Sequence, residues 1–454
     1  MNKFNINILL LWGLLVLVIH FMYLVEIDKL TTSIPIIFFF SVGSIFVRFI
    51  SKSNKTILLY VLVWSLYSSL CTITDWLYIS SKPLNNFFLT PDSRRFAERI
   101  LYLLENSNEV ESIFSINSIS NLRTGNGFYS ISYYIGVLAR HFNADPIYTL
   151  KIFNATLASL GVIYFYKLIK LYKCNNSFRH AMIYALFFYS STYINTLLRD
   201  IFVYFLLISA FYYFLREQRN DWLRVILLSF LCFTVRPTHG LIPVLPMLIR
   251  FIYKNTLRLK SAGILILLAV SIYSRKLISL FELYKESIEF YLTYTSNRIG
   301  NSSGITSILY EKLPLLAFYP IRSIQIFFNP FLFSPPFYNV DLKQDQYFSW
   351  ILNLNNFYFS TFFIIFLNAI SSKKFRKELD PKLKLILITS ILFSLLFGIF
   401  SIDNRRLIGF FTVLILPALM YLQSITRAYR RDVVHLAIMI SLLLSSIHLT
   451  YLLK

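Results

Sequence analysis

The chain has 454 residues, of which 56% are hydrophobic and 15% charged, whereas soluble domains carry about 25% charged residues. That much apolar surface excludes a soluble globular protein. The formal net charge is +22, from 44 Lys and Arg against 22 Asp and Glu. Most of the basic excess lies in short segments between apolar stretches, which favours anionic membrane lipid and not nucleic acid as the partner. Cys71, Cys174 and Cys232 lie in or beside apolar stretches without metal-ligand spacing, so neither disulfides nor a metal site are predicted.

The apolar stretches predict an all-α protein, one polytopic membrane domain over residues 1–454 with about 13 transmembrane helices. A spanning helix needs roughly 20 apolar residues. The first stretch follows Lys3 and ends without a small-residue cleavage site, which predicts a retained span and not a signal peptide. The predicted spans are about 7–26, 33–50, 57–80, 148–170, 178–197, 201–216, 221–236, 239–254, 262–280, 349–370, 383–402, 407–425 and 434–452.

The basic clusters between these spans predict the orientation. With a cytoplasmic N-terminus and thirteen spans, the clusters near Lys52, Lys170, Arg216, Lys374 and Arg430 all face the cytoplasm. Two long external regions result, about 81–147 and 281–348. This alternation requires that Phe128–Phe142 form an interfacial helix and that the proline-containing segment Leu313–Phe333 be re-entrant or lie on the surface.

Arginines recur at the predicted external ends of the spans. They lie in a helical stretch beginning at Pro91 and in three tight turns, around Asp200, Arg236 and Asp403. The planar guanidinium suits bidentate contacts with phosphate and stays charged near lipid. The sequence therefore predicts an electropositive pocket for a lipid-linked phosphate or pyrophosphate, formed by Arg94, Arg95, Arg199, Arg236, Arg405 and Arg406.

A carboxylate beside such a pocket can accept the proton of a sugar hydroxyl as the hydroxyl attacks an anomeric carbon. Asp92 is the first candidate for this catalytic base, with Glu98 and Asp200 behind it. The same residues fit simpler structural interpretations. Thr90, Pro91 and Asp92 are typical of a helix start, and arginines at span ends commonly extend toward lipid headgroups. For Asp75, near the outer end of the third span, the sequence predicts either a place in the lining of the cavity or a position at the interface. His239 fits a hydrogen-bonded structural residue.

These features, in this order, resemble bacterial O-antigen and surface-polysaccharide polymerases, within or near the multi-spanning, GT-C-like glycosyltransferases that use polyprenyl-linked donors. The resemblance covers about residues 85–250, and the remainder is similar only in hydropathy. Two differences stand out: the external loop follows the third span and not the first, and no second acidic motif is arranged to hold a metal. The resembling motifs are Asp92-Ser93-x-x-Phe96, Gly125-Asn126-Gly127-Phe128-Tyr129, Phe153-Asn154, Leu198-Arg199-Asp200 and Val235-Arg236-Pro237.

The resemblance implies an enzyme of the bacterial inner membrane that polymerises undecaprenyl-pyrophosphate-linked repeat units on the periplasmic face, with Asp92 as the base. It implies a lipid-linked glycan as substrate, and a flippase and a chain-length regulator as partners. No cofactor is expected, because the sugar-phosphate bond stores the activation and the chain has no Gly-x-x-x-x-Gly-Lys loop. Two alternatives remain open: a transferase that adds a single sugar from a polyprenyl phosphate, and a transporter or flippase of lipid-linked glycans.

Overall fold

A computed structural model describes residues 3–26, 30–79, 91–106, 126–194, 199–254, 314, 320–321, 323–324, 327, 343–400 and 404–452. Within these ranges the chain is helical and contains no β-strand, as the all-α class predicted. The helices are α1 Lys3–Glu26, α2 Ser33–Ile50, α3 Asn54–Ile79, α4 Pro91–Glu105, α5 Asn126–His141, α6 Pro146–Leu171, α7 Ser177–Phe187, α8 Ser190–Tyr193, α9 Asp200–Arg216, α10 Asp221–Val235, α11 Pro237–Gly240, α12 Val244–Lys254, α13 Lys343–Ser371, α14 Lys373–Glu378, α15 Pro381–Phe400, α16 Ile408–Ser424 and α17 Arg427–Leu452. Two 3-10 turns, Leu30–Thr32 and Asn404–Leu407, precede α2 and α16.

The apolar helices are compatible with the predicted membrane protein. Within the described part, four helical segments are long and apolar enough to cross a bilayer: Leu30–Ile50, Asn54–Trp76, Pro146–Leu171 and Ile351–Ser371. Trp12–Val25 and Ile408–Ser424 are apolar but shorter. The full set of about thirteen spans stays a prediction. The predicted span 262–280, Asp403 and most of the region 281–348 lie outside the described residues.

Helix α6 is the centre of the bundle. In its most apolar stretch 89% of the residues are buried inside the protein, against 28% for the segment Leu30–Ile50. It packs against α2, α3, α5, α7, α9 and α16. Small residues on α6 let its neighbours approach closely. A Cβ built on Gly161 would overlap the ring of Tyr204 on α9, so glycine is required at that contact.

The predicted span 178–197 is not one continuous helix. Helix α7 ends at Phe187, Phe188 adopts an extended conformation, and the four-residue α8 follows. In an apolar environment the backbone groups released by such a break need partners. Tyr67 Oη donates to the Ala185 carbonyl at 3.0 Å and lies 2.9 Å from Ser190 Oγ. The side chains of Ser191 and Thr192 on α8 donate to Asn355 Oδ1 on α13. Buried polar side chains therefore stabilise the break.

The first predicted external region contains two helices, as the sequence indicated. Helix α4 begins at Pro91 and ends at Glu105, and α5 covers most of the segment predicted to be interfacial. Helix α5 packs on α4, α6 and α10. Arg140 on α5 donates to the Leu104 carbonyl of α4 at 2.8 Å, which fastens the two helices together. Residues 107–125 between them lie outside the described part.

Basic loops gather at one end of the bundle, named here the Lys382 end and defined by Arg216, Glu217, Arg250 and Lys382. Arg250 and Lys382 both pair with Glu217, Lys382 at 2.8 Å. Partial burial raises the pKa of Glu217, but the hydrogen bonds and charges of Lys382 and Arg250 outweigh burial, so the pKa is lowered from its ordinary value. The three ionic side chains join the α9–α10 turn to α12 and α15.

We expect Tyr67→Phe to lower stability, because the substitution leaves the released Ala185 carbonyl and Ser190 with one partner fewer. The cost of such a loss in a buried site is about 1–3 kcal/mol. The thermal unfolding midpoint of the purified protein in detergent should fall, and it should fall less in Tyr134→Phe, because solvent can replace the partners of an exposed tyrosine. An unchanged midpoint for Tyr67→Phe would contradict the role given to this hydroxyl.

The Glu217 pairs predict a pH dependence at the Lys382 end. A carboxyl group whose pKa is lowered by folding stabilises the fold above its unfolded pKa, and this contribution disappears as the pH falls through the folded pKa. Part of the acid destabilisation below about pH 4.5 should therefore be absent in Glu217→Gln. Unfolding midpoints of the two proteins measured from pH 7 to pH 3 test this. If the midpoints of wild type and Glu217→Gln fell in parallel as the pH is lowered, the stabilising role of the Glu217 pairs would be refuted.

Candidate functional site

Three chain segments meet at the other end of the bundle, named here the Asp200 end. Asp200 begins α9, Arg236 follows the last residue of α10, and Arg406 precedes α16. Arg236 lies before Pro237, and a proline disfavours helical backbone in the preceding residue. Its backbone is extended accordingly, with φ −149° and ψ 97°, so α10 ends there.

A buried ion pair joins the first two of these segments. Arg236 Nη1 donates to Asp200 Oδ1, and the two side chains are only 9% and 2% exposed. A buried carboxylate needs such a partner, since its charge is costly to desolvate alone. The sequence predicted Asp200 as a reserve base and Arg236 as a phosphate ligand. The structure places the two side chains in one pair and holds the Arg236 guanidinium in a defined position.

His239 connects this pair to the third segment. Its Nε2 lies 2.8 Å from the Arg406 carbonyl, and its Nδ1 lies 2.9 Å from Thr238 Oγ1. A carbonyl oxygen can only accept, so Nε2 carries the proton. The ring is fully buried against Phe393, Phe397 and Phe410. His239 is thus a hydrogen-bonded structural residue that positions the Arg406 backbone.

The Arg406 side chain contains a buried hydrogen-bond donor whose partner is missing from the described part of the chain. Its Nε is buried and makes no hydrogen bond there. Its guanidinium carbon lies 5.6 Å from the centroid of the Phe397 ring, a cation–π contact. A buried donor without an acceptor is costly. An anionic ligand at this place would supply the acceptor.

Helix α4 is anchored beside the same end by aromatic rings. The Arg199 guanidinium carbon lies 6.0 Å from the centroid of the Phe96 ring. The ring centroids of Phe96 and Phe128 on α5 are 5.1 Å apart, and those of Phe128 and Phe202 on α9 are 5.5 Å apart. Asp92 lies in the first turn of α4, four residues before Phe96 or about 6 Å along the helix axis. Its side chain is outside the described part, so its role as a base stays a prediction.

The remaining predicted residues are located as follows. Arg94 Nε pairs with Glu98 Oε1 at 2.7 Å on α4, and both side chains are more than half exposed. Such surface pairs contribute little to stability. Arg95 is exposed on the same helix. Arg405 lies in the 3-10 turn before α16, and its side chain is outside the described part. The structure therefore brings together Arg199, Asp200, Arg236 and Arg406, with α4 close by.

A second buried ion pair joins Asp75, which the sequence analysis singled out, to Lys151, which it did not. Lys151 Nζ donates to Asp75 Oδ1, and both side chains are at most 4% exposed. Tyr148 Oη lies 2.7 Å from Thr72 Oγ1 one turn away. Asp75 was predicted to line a cavity or reach the interface, whereas it is buried. Lys151 lies five residues after Pro146, the first residue of α6. A lysine inside an apolar stretch was the sequence signal that could have indicated a buried ion pair.

Comparison with known proteins adds no identification. No protein-family model, curated protein or solved structure matches this chain.

We expect Arg236→Ala to be strongly destabilising, because it leaves the Asp200 carboxylate buried without its partner. Breaking a buried pair in this way costs about 3–5 kcal/mol. The double substitution Asp200→Asn with Arg236→Gln removes both charges and should recover part of the loss. Arg94→Ala, which removes an exposed pair, should cost no more than about 1 kcal/mol. Thermal unfolding in detergent measures all three, and equal effects of Arg236→Ala and Arg94→Ala would contradict the burial argument.

Proposed function

We propose that this protein is a membrane glycosyltransferase of the polysaccharide-polymerase type, and that the Asp200 end binds the pyrophosphate of a polyprenyl-linked glycan. The observation that carries the proposal is the group of arginines there. Arg236 is held by Asp200, Arg199 rests on Phe96, and Arg406 has a buried Nε without an acceptor in the described part. An anion is the ligand that such donors bind best.

The proposed reaction joins two lipid-linked glycans. A hydroxyl oxygen of the acceptor sugar attacks the anomeric carbon of the donor sugar. The bond from that carbon to the pyrophosphate oxygen breaks, and the electron pair leaves with the lipid pyrophosphate. Arg199, Arg236 and Arg406 stabilise the negative charge that develops on the leaving group. The hydroxyl proton passes to a base, for which Asp92 is the candidate.

In this proposal Asp200 is a positioning residue for Arg236, because its carboxylate is already paired and buried. Glu98 is the less suitable base of the two on α4, since it is paired with Arg94 in an exposed position. The proposal includes the predicted topology: thirteen spans, a cytoplasmic N-terminus, and the Asp200 end on the external face of a bacterial inner membrane. The gathering of basic loops at the opposite, Lys382 end supports that orientation.

Two observations favour a transporter of lipid-linked glycans as the second candidate. The helix break between α7 and α8 resembles the discontinuous helices of transporters. The buried Asp75–Lys151 pair places charges inside the bundle, where ionisable residues often mark a substrate or ion pathway. The polymerase is preferred because the arginines cluster at the helix ends, where a membrane-anchored phosphate would lie.

The test is the length of the surface polysaccharide in a deletion strain of the source bacterium. The strain is complemented with wild type, Arg199→Ala, Arg406→Ala or, as a matched control, Arg431→Ala. Arg431 is an exposed arginine at the Lys382 end. Loss of one group that stabilises the leaving charge costs roughly 100-fold in rate. The first two variants should therefore leave mostly single repeat units, and Arg431→Ala should restore long chains.

Protein levels in the membrane are measured in parallel, so that a loss of activity is separated from a loss of folded protein. Long chains in the deletion strain itself would refute the polymerase. Absence of long chains together with repeat units trapped on the cytoplasmic leaflet would support the transporter instead. Full activity of both arginine variants would refute the phosphate site.

A further inference from the structure

A polar cleft at the Lys382 end has no part in the proposed reaction. It has a volume of about 400 Å³ and lies where α13, α14, α16 and the start of α17 meet. Ser371, Ser372, Lys374, Tyr421 and Tyr429 are among the residues that line it. A second cleft of about 310 Å³ shares Phe375, Glu378 and Ser424 with the first. Together they form a groove, named here the α14 groove, at the end of the bundle opposite Asp200.

The surroundings of the α14 groove are strongly basic. The segments 372–378 and 425–432 carry two carboxylates, Glu378 and Asp432, of which Asp432 pairs with Arg431. They carry seven cations: Lys373, Lys374, Arg376, Lys377, Arg427, Arg430 and Arg431. All four cations of α14 are exposed. Lys374 lines the groove, and Glu378 lies in the wall that the two clefts share. The local charge selects an anionic ligand.

One of these cations also has an unsatisfied buried donor. Arg430 Nη2 donates to the carbonyl of Ile425, a lining residue, at 3.3 Å. Its Nε is buried and makes no hydrogen bond within the ranges that the structure describes. Buried donors are normally paired. Arg430 is not itself a lining residue, so an anionic oxygen in the groove would bind the Lys374 ammonium, and the Arg430 guanidinium behind Ile425 would add positive charge nearby.

The apolar surface beside the groove indicates what kind of anion the groove binds. Tyr429, Leu436, Met439 and Leu443 lie on one face of α17, at helical spacings of seven, three and four, and are 48%, 53%, 67% and 60% exposed. This stripe begins at the groove and runs along α17 toward the other end of the bundle. A soluble anion would leave the stripe unused. An acyl chain would cover it.

We propose that the α14 groove is a binding site for an anionic phospholipid, with the phosphate at Lys374 in the field of the neighbouring Arg430 and one acyl chain along Tyr429, Leu436, Met439 and Leu443 of α17. The bound lipid would hold the short α14 against the start of α17. This proposal does not rest on the glycosyltransferase reaction, because it concerns the opposite end of the bundle.

The test uses the purified full-length protein in detergent and counts retained lipids by native mass spectrometry. The probes are dioleoyl phosphatidylglycerol, dioleoyl phosphatidylcholine, and glycerol 1-phosphate as a soluble competitor. One phosphatidylglycerol should bind at least about tenfold more tightly than phosphatidylcholine. Glycerol 1-phosphate in large excess should not displace it, because the acyl chain contributes to binding.

Variants locate the site. Lys374→Glu should weaken the tightest phosphatidylglycerol site about tenfold or more, since it removes one positive charge and adds a negative one beside the phosphate. Lys377→Glu makes the same charge change on the same helix, away from the groove lining, and should change the affinity less than about twofold. Arg430→Gln should weaken binding, and Glu378→Gln should strengthen it.

Equal effects of Lys374→Glu and Lys377→Glu would overturn the proposal, because they would indicate diffuse attraction to a basic surface. Equal retention of phosphatidylcholine would overturn it as well, and displacement by glycerol 1-phosphate would assign the groove to a soluble phosphate compound. Lys374 and Lys377 are exposed, so both variants should keep the wild-type unfolding midpoint, which is measured as the folding control.

Discussion

The bilayer interior offers no hydrogen-bond partner, so polar groups that the chain buries between its helices must be satisfied by the protein itself. This constraint accounts for the main polar features of the fold. Asp200 and Arg236 neutralise each other where α9 begins and α10 ends, and Asp75 and Lys151 do the same between α3 and α6. Tyr67 supplies a partner for the backbone released between α7 and α8. Without these partners the helices around α6 could not pack with charges and a helix break between them.

The same constraint makes two of the exceptions in the described part informative. The buried Nε atoms of Arg406 and Arg430 make no hydrogen bond within the described part, and they lie at opposite ends of the bundle. At the Asp200 end, Arg406 lies near Arg236, which is paired with Asp200, and near Arg199, which contacts the Phe96 ring. This arrangement suits a pyrophosphate group. At the Lys382 end, Arg430 lies beside a groove that continues into an exposed apolar stripe, an arrangement suited to a phospholipid. Both proposals depend on the attraction of guanidinium groups for phosphate. They differ in the surface beside the arginine, which is a cluster of arginines at one end and an exposed apolar stripe at the other.

Several local features were predictable because they depend on neighbours in the sequence. Thr90 to Asp92 indicated a helix start, and α4 begins at Pro91. His239, interpreted as a hydrogen-bonded structural residue, makes hydrogen bonds with Thr238 and the Arg406 carbonyl. The break after Phe187 was missed, because hydropathy averages over about 20 residues and does not register a local change in backbone direction. Its stabilising partners, Tyr67 and Asn355, are more than 100 residues away in the sequence from the groups they bind.

The sequence by itself predicted an all-helical membrane protein, because composition and the length of apolar stretches follow from the bilayer as a solvent, and the described residues are helical, with apolar helices compatible with a membrane. It also located the arginines of the proposed phosphate-binding end, because each arginine near the end of an apolar stretch is visible in the sequence. Only the tertiary structure decided which of those charges are already used. Asp200 is paired with Arg236 and Arg94 with Glu98, while Lys151 unexpectedly neutralises Asp75. Pairing depends on distance in space between segments far apart in the chain, and a sequence contains no direct record of that distance.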